Sequence, residues 1–408
     1  MKIKSTLIWI SMLAGTILSA ETLTLEACID MARSNNPTIR QKELSAEIAG
    51  SQVKQSYSAI LPGISVSSGV GSSSQTSWDL NTSVGLSAGL TLYTPGLYSG
   101  IRSAHMNKSA NQALYAGAAN EIVNQVRTLY YNILSTRKLI GVYEENITVA
   151  EENLRKTRAM YAMRVITESD VLKSEAQKGE FESQLLLQKQ LYVSYLRNLG
   201  VLLGRESGDE IDVVDIDVEQ VLIPPYEASR KAMLEQNPDL AAAQLQEEIG
   251  KVRVKASKEA YLPSISGSYT YSDGFDPADT PVNSVGLNAS WTLFNGLSRR
   301  ENVQQQKLQL EQTRIGVDNT VRMLEQQLQN YYTQFETYTA MIDISERRLA
   351  SARRDFEIVN QQYELGKVTV LERMQAHLSV LSAESSLVDA QYSRKIVESG
   401  ILALINNL

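Results

Sequence analysis

Few residues in this sequence have the type and spacing that covalent chemistry needs. The 408 residues include one cysteine, Cys28, and two histidines, His105 and His377. A disulfide within the chain is therefore impossible, and a Cys/His metal cluster lacks ligands. The sequence has no HExxH, no Walker phosphate loop and no GxSxG. Gly366-Lys367 lacks the upstream glycine of a phosphate loop. Both histidines fall in helical patterns and read as surface or packing residues, and Cys28 reads as a partly buried helix residue. The acidic residues are spread along helix faces, where i,i+4 pairing accounts for them. Neither an enzyme activity nor a cofactor is expected.

The bulk numbers set the class. Apolar residues make up 43% and charged residues 21%, which excludes a disordered chain and a bundle of membrane helices. The formal net charge of −7 offers no basic face to nucleic acid. Lys2 and Lys4 precede an apolar run from Leu7 to Leu18 that ends in Ser19-Ala20. This reads as a secretory signal over residues 1–20, cut after Ala20. No later stretch is long and apolar enough for a transmembrane helix. The exported chain is expected to be soluble, or to enter a membrane as β-strands.

The elements begin with a long helix. Leu310, Val317, Leu324, Tyr331 and Tyr338 recur every seventh residue, as do Val321, Leu328, Phe335, Ile342, Leu349, Phe356 and Tyr363. Ser345 and Ala352 dilute the first series before Val359 restores it. A seam of period 3.5 predicts left-handed supercoiling against neighbours. Without proline from Gly296 to Tyr363, the helix would reach roughly 100 Å.

The sequence also repeats itself, at an offset of about 201 residues. Asn36-Pro37 recurs as Asn237-Pro238, Leu61-Pro62 as Leu262-Pro263, and Leu92-Tyr93 as Leu293-Phe294. Each half opens with a short helix, Leu25 to Ser34 or Tyr226 to Gln236. Asn-Pro breaks it and starts a second helix, because proline suits a first helical turn. Leu-Pro stops that helix. Two strands follow, then a very long helix, a turn and a return helix. The return helix of the second half carries a stripe of Leu378, Leu381, Val388 and Tyr392. The predicted division is 1–20 signal, 21–204 first repeat, 205–225 acidic inter-repeat linker (an equatorial region) and 226–408 second repeat.

The strands are informative. Val84, Leu86, Ala88, Leu90 and Leu92 alternate with Ser83, Gly85, Ser87, Gly89 and Thr91. Val285, Leu287, Ala289, Trp291 and Leu293 alternate with Ser284, Gly286, Asn288, Ser290 and Thr292. Ile64 to Ser72 and Ile265 to Tyr271 are weaker partners. The polar faces carry no charged residue, unlike the wet face of a soluble sheet. A transmembrane barrel instead turns apolar residues to lipid and small polar ones inward. Trp78, Tyr93, Tyr269, Tyr271, Trp291 and Phe294 are expected near strand ends, as interfacial aromatics. Four strands cannot close a membrane barrel, and open edges are forbidden in lipid, so several chains must pool them.

Taken together, these features resemble the TolC family of outer-membrane efflux and type I secretion channels. The resemblance is carried by the doubled Asn-Pro and Leu-Pro, by the run Trp291 to Gly296, and by the run Tyr363 to Thr369 followed by Glu372. It implies a mainly α fold with a transmembrane β part. Long antiparallel helical hairpins would form a trimeric α-barrel tunnel in the periplasm, and four strands per chain a shared twelve-stranded barrel in the outer membrane. The implied partners are two further copies of the chain, a periplasmic adaptor (membrane fusion) protein, an inner-membrane transporter and outer-membrane lipid, with no nucleic acid. Drugs, metal ions, siderophores and polypeptides all pass such ducts. The helical turns should be the periplasmic gate. Carried over by position, Tyr363, Glu372 and Gln375 match gate residues of the second half, and Ser169 and Asp170 match those of the first. The family's linking arginine is replaced by Val368, with Lys367 beside it. Arg164, Val165, Gly366 and Lys367 fall on the turn surfaces that face an adaptor, and Arg164 stands where glycine is usual. Carboxylates gathered on a threefold axis would attract cations, and their repulsion would raise their pKa values. The competing reading is an exported structural coiled-coil envelope protein without channel activity.

Overall fold

The computed structural model describes residues 21–72, 81–205, 211–215, 222–274 and 280–406. The signal segment 1–20, Trp78 and the linker residues 206–210 and 216–221 lie outside the described residues. The chain runs β1 (Glu21–Leu23), α1 (Leu25–Asn35), α2 (Pro37–Tyr57), β2 (Gly63–Gly71), β3 (Asn81–Tyr93), α3 (Leu97–Ala162), α4 (Glu168–Leu202) and β4 (Ile211–Val213). It continues α5 (Tyr226–Gln236), α6 (Pro238–Glu259), β5 (Ser264–Gly274), β6 (Val282–Ser290), α7 (Ser298–Glu364) and α8 (Val370–Leu404). The order α1-α2-β2-β3-α3-α4 thus recurs as α5-α6-β5-β6-α7-α8. No helix among the described residues is long and apolar enough to cross a membrane.

Local chemistry explains the breaks. Pro37 and Pro238 each occupy the first position of a helix, where no amide partner is lost. Asn237 Oδ1 accepts from the amides of Asp239 and Leu240, both at 3.1 Å, which caps α6.

The chain divides into two compact units. One holds the described residues of Pro37–Asn124, Val221–Tyr338 and Val397–Leu408. Its strands pair antiparallel in the order β2-β3-β5-β6. The register matches like faces. Val66 lies opposite Leu86, which lies opposite Tyr271, and Ala88 opposite Tyr269, which lies opposite Val285. On the other face Ser65, Ser87, Thr270 and Ser284 form one row. The hydroxyls of Ser65 and Ser87 are 2.7 Å apart, and those of Thr270 and Ser284 2.5 Å. Neither β2 nor β6 has a further strand partner among the described residues. The apolar face is bare, with Ile64, Val66, Val70, Val285 and Leu287 all exposed.

The helical core of this unit joins Met233, Leu240, Leu324, Leu328, Val397 and Ile401, with Val317, Val321, Tyr331, Phe335 and Tyr338 packed around it. The seven-residue seam therefore faces inward here. Gly400 lies so close to the Tyr331 ring that an added Cβ would fall 2.6 Å from Cζ.

The other unit holds the described residues of Met1–Asn36, Gln125–Gln220 and Thr339–Ile396. Here β1 and β4 pair in parallel, Leu23 opposite Val213. Three-residue strands leave no periodicity to read, so the segment expected to be plain linker contains unforeseen structure. Buried Tyr130 donates its hydroxyl to the carbonyl of Val214 at 2.7 Å. Arg137 pairs with Asp212, and Lys138 lies 3.0 Å from Asp215, so two acids of the segment are tied to α3. Cys28 is wholly buried rather than partly so, and burial pushes its thiol up to about 11. The packing is built from small clusters, Ala150 with Phe181 and Leu381, and Leu349 with Ala352 and Ala383. Ser345 and Ala352, which dilute the seam in sequence, are buried in it nonetheless.

Candidate functional site

The two helical turns, 163–167 and 365–369, share one construction. At the end of α3 the amide of Val165 donates to Met160 at 3.0 Å and that of Arg164 to Tyr161 at 2.8 Å. At the end of α7 the amide of Lys367 donates to Gln362 and that of Gly366 to Tyr363, both at 2.9 Å. This double closure needs a left-handed residue just past the helix. Gly366, at φ 69°, adopts that shape freely, whereas Arg164, at φ 60°, does so against the preference of an L-residue.

Each return helix then starts on a threonine and a carboxylate three residues on. Asp170 Oδ2 accepts from the amide of Thr167 at 3.2 Å and from its hydroxyl at 2.8 Å. Glu372 Oε2 accepts from the amide of Thr369 at 2.7 Å and from its hydroxyl at 3.0 Å. The amide of Glu372 donates back to Thr369 Oγ1 at 3.2 Å, which completes a capping box. The Thr167 hydroxyl, chiefly, holds Asp170 below the usual carboxylate range, and Lys173 adds to this. The Thr369 amide, chiefly, does the same to Glu372. Repulsion between copies on an axis would act against these caps.

Of the other sequence-derived residues, Ser169, Arg164, Val165, Gly366, Lys367 and Gln375 are exposed on or beside the turns. Tyr363 is different. It is only 5% exposed, while Tyr161, its counterpart in the repeat, is 45% exposed. The Tyr363 hydroxyl donates to Met160 Sδ at 3.5 Å, and the Arg373 guanidinium lies over its ring, 4.9 Å from the centroid. Glu364 is 3.5 Å from Lys156. The hairpin α7–α8 is thereby attached to α3 just behind the turns.

Sequence reasoning missed the residues behind Tyr363. Arg373 is 6% and His377 4% exposed. The His377 ring stacks on Phe356 at 5.1 Å and meets Phe181 edge-on at 5.8 Å. Burial, aided by the charge of Arg373, pushes His377 down to about 4. Burial also lowers Arg373. The available signal was spacing, since 373, 377 and 381 succeed one another by four along one face of α8. Leu378, expected in that stripe, lies about 100° round the helix from His377 and is exposed. His105, by contrast, is exposed and bonds to the Tyr57 hydroxyl at 3.1 Å.

The aromatic residues of the strands need two corrections. Tyr269 and Tyr271 fall well inside β5, with Tyr269 at its middle rather than near an end. β6 stops at Ser290 rather than running on to Leu293 as the alternation predicts, so Trp291 and Phe294 lie just past its end. The cause is local. Trp291 Nε1 donates to the Tyr261 carbonyl at 2.9 Å, and Arg299 takes the Thr292 carbonyl while its guanidinium covers the Tyr261 ring. Tyr93 ends β3 as expected. Among the described residues, no group of three or more His, Cys, Asp and Glu side chains is placed to hold a metal ion.

The family model described as "Outer membrane efflux protein" matches the chain twice, over residues 28–205 and 230–407. Outer membrane efflux protein BepC of Brucella suis is 22% identical over 409 residues, spanning 96% of this chain and 88% of BepC. Outer membrane protein TolC of Vibrio cholerae is 19% identical over 403 residues, spanning 94% of this chain and 91% of TolC. The solved CmeC outer membrane channel of Campylobacter jejuni superposes with a TM-score of 0.85 at 18% identity, covering 94% of this chain and 85% of that one.

Proposed function

The chain belongs to the outer membrane efflux protein family and is an outer-membrane channel, and on that premise we propose that three copies assemble to make it work. One observation carries this reading: the sheet β2-β3-β5-β6 has an apolar face bare to its surroundings and two edges without a strand partner among the described residues. Hydrocarbon tolerates neither an unpaired edge nor an open sheet. The strands alternate in direction across the sheet, so β6 of one copy meets β2 of the next antiparallel, and three copies close twelve strands. The row of serines, threonines and glycines then lines a wet interior. Tyr93, Trp291 and Phe294 serve as the aromatic anchors at the membrane surface.

The doubled family match supports the division into repeats at 21–204 and 226–408 around the segment 205–225. The turns act as the periplasmic gate, with Asp170, Glu372 and Tyr363 in the lead and Ser169, Lys367 and Gln375 beside them. Arg164, Val165, Gly366 and Lys367 form the surface for a periplasmic adaptor that connects to an inner-membrane transporter, in an efflux pump or a type I secretion system. The channel does no chemistry on its cargo.

Assembly is tested by chemical crosslinking of detergent-extracted protein. A threefold mass is expected, and a monomer alone overturns the reading. The gate is tested in planar bilayers with Asp170→Ala and Glu372→Ala. Each should raise conductance and weaken cation preference, and no change in either variant removes these residues from the gate.

A further inference from the structure

Three helices meet behind the candidate gate through the rings of Phe181 on α4, Phe356 on α7 and His377 on α8. One turn nearer the tip on each helix stand Gln177, Asn360 and Arg373. Gln177 Nε2, Asn360 Oδ1, Arg373 Nε and His377 Nδ1 are buried with no hydrogen-bond partner among the described residues. Gln177 is 8% exposed, which puts it with Arg373 and His377 among side chains more than nine-tenths buried.

Away from the tip α8 packs mainly through hydrocarbon, in the clusters around Leu381 and around Leu349, where the buried Ser385 hydroxyl is the exception, also without a hydrogen-bond partner among the described residues. The seam between the hairpins therefore changes character along its length, from apolar to polar and only partly bonded. A buried polar atom without a partner makes the packed arrangement less favourable, and water entering the seam would supply the missing bond. The apolar clusters gain nothing from water and stay shut. The counterparts of Arg373 and His377 in the first repeat are Val171 and Glu175, and Glu175 is exposed, 3.5 Å from Arg158. Thr157 and Ser174 are also buried near the tip of the first hairpin, but both bond to carbonyls of their own helices, so among the described residues the unbonded polar atoms at this level are those of the layer around α8.

We propose that Gln177, Asn360, Arg373 and His377 are positioning residues of the gate, whose incomplete bonding sets how readily α8 and the end of α7 part from α4. Arg373 links this layer to Tyr363 by covering its ring. Parting stops at the apolar clusters, so the opening is confined to the last few turns of the hairpin. The inference rests on the turns being the moving end of the channel.

The test is the opening frequency of the purified full-length channel in planar bilayers. His377→Leu and Gln177→Leu each replace an unbonded polar atom with hydrocarbon. Each should lower opening frequency about tenfold or more while the conductance of a single opening stays that of wild type. A purely structural role would move thermal stability without moving opening frequency. Unchanged or increased opening in an assembled variant overturns the inference, and Gln177→Leu decides alone if His377→Leu does not assemble. A wild-type protein without any conductance would instead sink the channel reading itself. Altered conductance in Glu372→Ala beside wild-type opening in both leucine variants leaves the gate standing and removes only this layer.

Discussion

The side-chain nitrogen of Asn36 lies 2.8 Å from the carbonyl oxygen of Leu202, the last residue of α4. Asn237 makes the matching bond to Leu404, the last residue of α8, at 3.2 Å. Each asparagine thus satisfies a helix-end carbonyl with no partner inside its own helix, and Asn237 also caps α6 through its oxygen. Asn237→Ala should lose both functions and cost about 1–3 kcal/mol. Asn237→Ser should retain the cap through its hydroxyl and lose only the bond to Leu404. Urea unfolding of the detergent-solubilised protein separates the two, with the serine variant expected between wild type and alanine.

Exchanging the left-handed residue should have opposite effects at the two turns. Arg164→Gly relieves a left-handed arginine and should stabilise the first turn by about 1 kcal/mol, less the entropy that glycine loses on folding. Gly366→Ala imposes the same strain and should destabilise the second turn by a similar amount. Hydrogen exchange of the amides after each turn reads the effect locally. Equal protection in all three proteins would contradict it.

His377 and the capping carboxylates titrate in separate windows. His377 binds its proton near 6.5 when unfolded and near 4 when folded, so the unfolded chain holds more protons between these values. Its contribution is complete above pH 6.5 and is lost as pH falls toward 4, on the order of 3 kcal/mol in all. The depressed carboxyls of Asp170 and Glu372 stabilise above the ordinary carboxylate range and lose that effect only as pH falls through and below it. Thermal melts from pH 7.5 to 4.5 should therefore decline in wild type and flatten in His377→Phe. A parallel decline in both would assign the loss to another group.

Gly400 and Tyr331 supply a steric prediction. An added Cβ would press on the face of the Tyr331 ring, with Cζ, Cε1 and Cε2 all within 3.0 Å. Gly400→Ala should cost about 1–3 kcal/mol through displacement of that ring. Combining it with Tyr331→Leu should recover part of the loss, and an additive double variant would show that the ring is not the cause.

The sequence carried most of the frame because the frame is periodic. Alternation in 83–92 fixed both faces of the sheet, and Asn-Pro fixed where α2 and α6 begin. What remained hidden depends on chemistry that periodicity does not encode. Tyr161 and Tyr363 are the same residue at equivalent places, yet only Tyr363 is covered, because Arg373 stands beside it where the first repeat has Val171. His377 was legible only as a surface or packing residue, and its inward place became visible once Leu378 proved exposed. Trp291 fits the alternating pattern and still leaves β6, since its indole and Arg299 claim nearby carbonyls.

That the edges of β2 and β6 lack a strand partner among the described residues also bears on how the protein is made. A lone chain has no inserted state to occupy, since each edge strand would carry bare amides and carbonyls into hydrocarbon. Before insertion, the same edges are templates for indiscriminate strand pairing. Membrane yield should therefore rise more steeply than chain concentration at low expression. Substitutions that spare the fold but blunt one edge should act dominantly, because in the proposed threefold assembly a single faulty copy would leave two good ones unclosed.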